Sequence, residues 1–359
     1  MLKHSPSTLD NLLRAGAATA AVAAVGTADR ILWEEAAGEA RAGVPATVST
    51  RFDYASLTKP FVATLALVLD AEGVLPLESP IGDFWPEADP RLGRRPLSDL
   101  LRHRSGIAAW RPLYHLCRSR EDVLALLLSP SLLGTRAGTY SDLDYILWGM
   151  TVERVTGAPL HELVRSRVLI PLRLSSVEPT PGDRHDIAES RMDTGKEALL
   201  AAGLGLAVPA LPPPPVGMPQ DGNARFLLGL SGDPGRMTGH AGLFGRARDL
   251  WALGAEWLAP GRLLKPAAVA AALGGGGSFA LGWWRRTLRG SAGRALSRGS
   301  FGHTGFSGGS LWIDPAVDRI FVLLSSRADP ACDIHRWRRR FHALASRTIE
   351  TTPLEATTR

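Results

Sequence analysis

The sequence predicts an α/β fold: an antiparallel sheet built from both ends of the chain, flanked by helices and interrupted by an inserted all-helical domain. Two observations carry this expectation. Strand-like apolar runs gather near both termini, whereas the long middle reads as helical pieces separated by Pro- and Gly-containing loops. A third observation fits them: 359 residues at 45% hydrophobic and 21% charged can bury a large core. The expected division is a discontinuous sheet domain, residues 1–78 and 243–359, around a helical domain at 79–242.

Residues 15–26 are small and apolar, with Lys3 and Arg14 upstream in the manner of a weak signal peptide. Their alanine richness and Asp10 argue against that. Ala21-Val22-Ala23-Ala24-Val25 leads naturally into Ile31-Leu32-Trp33, a hairpin turning at Gly26-Thr27-Ala28-Asp29. Retention in the cytoplasm is therefore expected, with export as the alternative. No apolar run reaches the ~20 residues that cross a bilayer, so no integral membrane segment is expected.

Ser56 to Glu72 has the composition of a buried helix, with Leu57, Phe61, Val62, Leu65, Leu67, Val68 and Leu69 leaving little polar surface. Pro60 lacks an N–H, which costs least in a first turn, so the helix should start near Ser56 or Leu57 and stop at Gly73. Further on, Ser141-Asp142-Leu143-Asp144 has capping-box form and opens a helix that runs to Gly157. Leu211 to Pro215 reads as a stiff connector and Gly274 to Gly277 as a flexible loop. Ser310 to Ile313 and Arg319 to Leu324 flank Asp314-Pro315 and predict an antiparallel hairpin.

Composition also excludes functions. Cys117 and Cys332 are too few and too isolated for a disulfide framework or a zinc site, and nine scattered histidines show no ligand spacing. His161-Glu162 lacks a zincin's second histidine because position 165 is arginine. The net charge of +6 peaks at His335-Arg336-Trp337-Arg338-Arg339-Arg340, which reads as a solvated helix face with Trp337 and Phe341 turned inward. No nucleic-acid partner is expected.

Three segments carry candidate chemistry. In Ser56-Leu57-Thr58-Lys59 a hydroxyl and an amine share one helix face, and the free N–H groups of a helix start lie beside the oxygen. An amine in an apolar wall loses its charge more readily and can take a proton. Tyr140-Ser141-Asp142 puts a phenol and a carboxylate where a loop enters a helix. His303-Thr304-Gly305 precedes the C-terminal hairpin, and its glycine lets a substrate approach the strand.

In this order and setting the three segments resemble the serine β-lactamase and penicillin-binding-protein superfamily, most nearly class C β-lactamase-related serine hydrolases. Leu100 to Ile107, Asp221 to Ala224 and Gly239 to Phe244 look like further elements of that family. The resemblance implies a β-lactamase/transpeptidase-like fold. It also implies a cofactor-free and metal-free hydrolase that cleaves an ester or amide of a small molecule or peptide through an acyl-enzyme on Ser56. Lys59 and Tyr140 handle the proton, and either can be the base. His303 and Thr304 contact substrate beside Gly305, and the N–H groups of Ser56 and Phe306 form the oxyanion hole.

Two residues depart from the family's pattern. Asp142 replaces an asparagine and only accepts hydrogen bonds when ionised; His303 replaces a lysine and removes a permanent cation. Both favour an esterase, an amidase or a D-amino-acid peptidase over an efficient β-lactamase. A competing reading keeps the fold as a weak or inactive module that binds cell-wall peptide or a protein partner.

Other motifs fit less well. Gly305-Phe306-Ser307-Gly308-Gly309 formally matches a nucleophile elbow, but a strand follows where a helix is required. Asp193-Thr194-Gly195 lacks the second copy that an aspartic-protease dyad needs. His103 and His240 are expected to be hydrogen-bonded structural side chains.

Overall fold

The computed structural model describes residues 8–192, 194–232, 236–327 and 332–350. The basic start of the signal-like segment, including Lys3, lies outside them, as does Asp193. In chain order the strands are β1 (Ala18–Gly26), β2 (Ile31–Arg41), β3 (Val44–Pro45), β4 (Phe52–Asp53), β5 (Glu178–Pro179), β6 (Leu243–Gly245), β7 (Phe279–Ala280), β8 (Trp283–Arg285), β9 (Phe301–Thr304), β10 (Ser310–Asp314) and β11 (Arg319–Arg327). Eight of them form one antiparallel sheet, in the order β3-β2-β1-β11-β10-β9-β8-β7. The two ends of the chain meet at its centre, where Val22 of β1 lies opposite Leu324 of β11.

Strand geometry sends alternate side chains to opposite faces, and the core divides accordingly. Ala20, Val22 and Ala24 join the larger core with Leu311, Ile313, Ile320 and Val322. Ala21, Ala23 and Val25 join a second layer with Trp312, Phe321 and Leu323. This second layer is closed by α1 (Thr8–Arg14) through Leu9 and Leu12, and by the C-terminal helix through Trp337 and Phe341. A strand covered on both faces needs no polar residue, which is why β1 resembles a signal sequence. No helix among the described residues is long and apolar enough to cross a membrane.

The larger core holds α2 (Thr58–Ala71), which is buried from Thr58 to Leu69. A short 3-10 turn, Ala55–Leu57, precedes it, and Pro60 sits in its first turn. The expected helix at Ser141 is α3 (Asp142–Thr156). Ser141 Oγ accepts the Asp144 N–H at 3.3 Å, and Gly157 ends the helix in the left-handed conformation. Further helices include α4 (Gly222–Ser231), α5 (Ala247–Leu258), which packs against β1, β10 and β11, and α6 (Ile334–Glu350). The middle of the chain is not entirely helical, because β5 pairs with β6 in a three-stranded ribbon, β4-β6-β5.

One close approach fixes α2 against the sheet edge. Gly282, between β7 and β8, has φ +81°, and a Cβ there would lie 2.2 Å from Ala63 Cβ. Gly282→Ala should therefore lower stability by about 2–4 kcal/mol through backbone strain and overpacking. Urea unfolding measures this, and an unchanged midpoint would contradict the close packing.

Candidate active site

The chain enters α2 through a constrained turn. Ala55 has φ +47°, uncommon outside glycine, and its N–H is held by Asp53 Oδ1 at 2.8 Å. Asp53 also accepts the Gln220 N–H at 2.8 Å, and burial raises its carboxyl to a pKa of about 6. Ser56 follows directly and remains partly exposed.

One turn later Lys59 is fully buried, and its Nζ meets three acceptors: Ser56 Oγ at 3.0 Å, Asp142 Oδ1 at 2.7 Å and the His240 carbonyl at 3.2 Å. An ammonium has three donors, so the set is complete. Burial lowers the amine's pKa, and the Asp142 charge and hydrogen bond oppose the shift. The rings of Tyr140 and Tyr145 lie 5.1 and 5.4 Å from Nζ.

Tyr140 closes the group from the loop before α3, its hydroxyl 2.9 Å from Ser56 Oγ. Burial and the Asp142 carboxylate push its phenol well above the usual range. The ring packs against His103 at 4.6 Å, Trp284 at 5.4 Å and His303 at 5.9 Å between centroids. His103, itself at φ +54°, accepts the Ser141 N–H on Nδ1 at 3.1 Å and so anchors the residue after Tyr140. Ser56, Lys59, Tyr140 and Asp142 therefore meet at one point.

The third segment lines the neighbouring wall. His303 is 2% exposed, and its Nδ1 lies 3.0 Å from the Thr304 carbonyl. Burial, then the Lys59 charge, push its pKa well below the ordinary value, so the ring is neutral. Thr304 pairs with Ser310 across the hairpin and is half-buried. Gly305 sits so close to the segment leading to Ser56 that a Cβ would fall 2.7 Å from the Tyr54 carbonyl. Phe306 follows at the turn, with Lys196 Nζ 5.2 Å from its ring centroid. Ser307 is 4% exposed and donates to the Asp53 carbonyl at 2.7 Å, and β10 follows it, so it is not set on an elbow.

Other contributors carried weaker signals. His240 is held between Thr238 and Asp221, with ring nitrogens 3.0 Å from each, and offers Lys59 its backbone carbonyl. Asp221 also caps α4 by accepting the Ala224 N–H at 2.7 Å. Trp284 was not singled out, although its ring faces both Tyr140 and His303.

The basic cluster needs a correction. Arg336 and Arg340 are exposed, but Arg338 is 2% exposed and points into the protein. Its spacing from Ile334, Phe341 and Ala345 on one helical stripe was the available signal. No group of three or more His, Cys, Asp or Glu side chains suited to a metal occurs among the described residues.

A family model described as Beta-lactamase matches residues 7–345. "Esterase EstB" of Burkholderia gladioli is 31% identical over 368 residues, covering 90% of this chain and 89% of that protein. A "Putative D-alanyl-D-alanine carboxypeptidase" of Escherichia coli (strain K12) is 28% identical over 325 residues, covering 80% and 72%. The solved structure of "EstCE1, a hydrolase with promiscuous acyltransferase activity" shares the fold with a TM-score of 0.72 at 19% identity, over 94% of this chain and 96% of that one. The family match runs from the first helix through the helical middle to the last, taking in every segment that converges on Ser56, and the chain belongs to the Beta-lactamase family.

Proposed function

We propose that this protein is a serine hydrolase that cleaves a carboxylic ester or related acyl compound through an acyl-enzyme on Ser56. The observation that carries the reading is the double contact on one oxygen: Lys59 Nζ at 3.0 Å and Tyr140 OH at 2.9 Å from Ser56 Oγ. A hydroxyl is a weak nucleophile until a neighbouring group takes its proton, and two candidates stand within reach. Oγ bonds to the substrate carbonyl carbon while its proton passes to the Lys59–Tyr140 pair. The carbonyl oxygen becomes an oxyanion facing the Ser56 and Phe306 N–H groups. As the C–O bond to the leaving group breaks, the pair returns the proton to the departing alkoxide. Water then repeats the sequence on the acyl carbon and frees Ser56.

Substrate preference follows from charge. His303 is neutral and the buried Lys59 is engaged by Asp142, so neither supplies a free cation for a substrate carboxylate. An uncharged acyl group suits this wall, in keeping with the esterase-named relative. The carboxypeptidase-named relative supports a second reading, a D-amino-acid peptide, for which the exposed Lys196 beside Phe306 is a nearby cation.

Fluorophosphonate should label Ser56, and Ser56→Ala should lower p-nitrophenyl ester turnover by at least ~10³-fold. Peptide mapping decides: label on Ser307, or none in a folded protein, would refute the assignment and favour a binding module.

A pH profile tests the proton pair without choosing between its members. The Asp142 carboxylate raises the pKa of both Lys59, by favouring its charged form, and Tyr140, by disfavouring its phenolate. A base must be deprotonated, so kcat/KM should rise with pH. Asp142→Asn should move that rising limb to lower pH, whichever group is the base. A limb that moved upward would contradict the reading.

A further inference from the structure

The C-terminal helix turns one charged side chain inward. Arg338 is 2% exposed, and its guanidinium donates to three carbonyls of a single turn. Nη2 reaches Gly305 O and Gly309 O at 2.8 Å each, and Nε reaches Gly308 O at 3.2 Å. Nη1 lies 3.4 Å from His335 Nδ1. Burial and the Arg327 charge lower its pKa to about 9, which leaves it a cation at neutral pH.

The turn it grips connects β9 to β10 and has its own closing bonds. The Gly305 N–H reaches Gly309 O at 2.8 Å, the Gly308 N–H reaches Gly305 O at 3.1 Å, and Ser307 Oγ ties the turn to Asp53 O at 2.7 Å. Arg338 is thus not needed merely to close the loop. Its contact with Gly305 O matters because that carbonyl and the Phe306 N–H belong to the same amide. A charged donor on the carbonyl draws electron density toward oxygen and makes the N–H a stronger donor.

We propose that Arg338 is a positioning residue for both acylation and deacylation: from behind the β9–β10 turn it fixes and polarises the Gly305–Phe306 peptide, so that the Phe306 N–H stabilises the oxyanion that develops in each step. The inference rests on the acyl-enzyme reading of Ser56.

The test compares wild type, Arg338→Met, Arg338→Lys and Phe341→Leu. The last loosens the same helix without touching the turn. Two readouts are needed: steady-state hydrolysis of p-nitrophenyl butyrate, and inhibition by phenylboronic acid, whose serine adduct is an anionic tetrahedron. Both Arg338 variants should lose ~10- to 100-fold in kcat with KM within about threefold, less than removing an oxyanion donor outright. Phenylboronic acid should weaken by the same factor. Phe341→Leu should lower Tm and leave kcat and boronic-acid affinity unchanged.

Wild-type kcat in either folded variant, a loss confined to KM, unaltered boronic-acid affinity, or an equal loss in Phe341→Leu would each overturn the proposal. If Arg338→Met does not fold, Arg338→Lys decides, because an ammonium keeps the charge but cannot span three carbonyls with a planar fork. Fluorophosphonate separates the two levels of inference. Failure to label wild-type Ser56 removes the acyl-enzyme reading, whereas labelling together with wild-type kinetics in the variants removes only the role of Arg338.

Discussion

A fully buried ammonium governs the architecture of this site. Lys59 has no contact with solvent, and an unpaired charge in such a place would cost several kcal/mol or more. Its three acceptors come from widely separated parts of the chain: Ser56 three residues away, Asp142 at a separation of 83 and the His240 carbonyl at 181. Satisfying one amine therefore requires α2, the start of α3 and the loop before β6 to be in place together. The groups around Ser56 are assembled by the same demand that keeps Lys59 from being an orphan.

The charge on Lys59 also sets the character of its neighbours. His103 and His303 are buried nearby, and the lysine adds to the desolvation that holds both rings neutral. A low-dielectric pocket lined by Tyr140, Tyr145, Phe279 and Trp284 tolerates one cation when a carboxylate accompanies it. Asp142 is that carboxylate. Asp142 offsets the burial of Lys59, whose charge in turn adds to the burial that keeps His303 neutral.

Much of the fold was legible because it rests on local sequence pattern. The apolar runs of β1, β10 and β11, the stop at Gly157 and the polar-poor surface of α2 are written in adjacent residues. Ser56 and Lys59 were legible for the same reason, lying one helical turn apart. The His240 contribution was hidden because a backbone carbonyl leaves no trace in residue type. Arg338 was hidden by its neighbours: among Arg336, Arg339 and Arg340 it reads as one more solvated charge, although it falls on the stripe of Phe341. The apolar run of β1 reads as a strand although it resembles a leader, because burial on both faces removes its polar residues.

The Gly305–Gly309 turn shows why a motif cannot be separated from its surroundings. Its residues satisfy the pattern of a nucleophile elbow, yet each glycine answers a different steric demand. Gly305 lets the turn press against the Tyr54 carbonyl, and Gly308 takes φ +109° where a Cβ would collide with Ser325 Oγ. Gly309 clears Leu57, the residue after Ser56. Ser307 spends its hydroxyl on Asp53 O and pins the same segment that positions Ser56. A turn pressed onto the backbone before Ser56 from one side, and held by a guanidinium from the other, has little freedom to move its amides. Any work these amides do on a substrate draws on that rigidity, since a donor already fixed in place needs no reorganisation when charge develops.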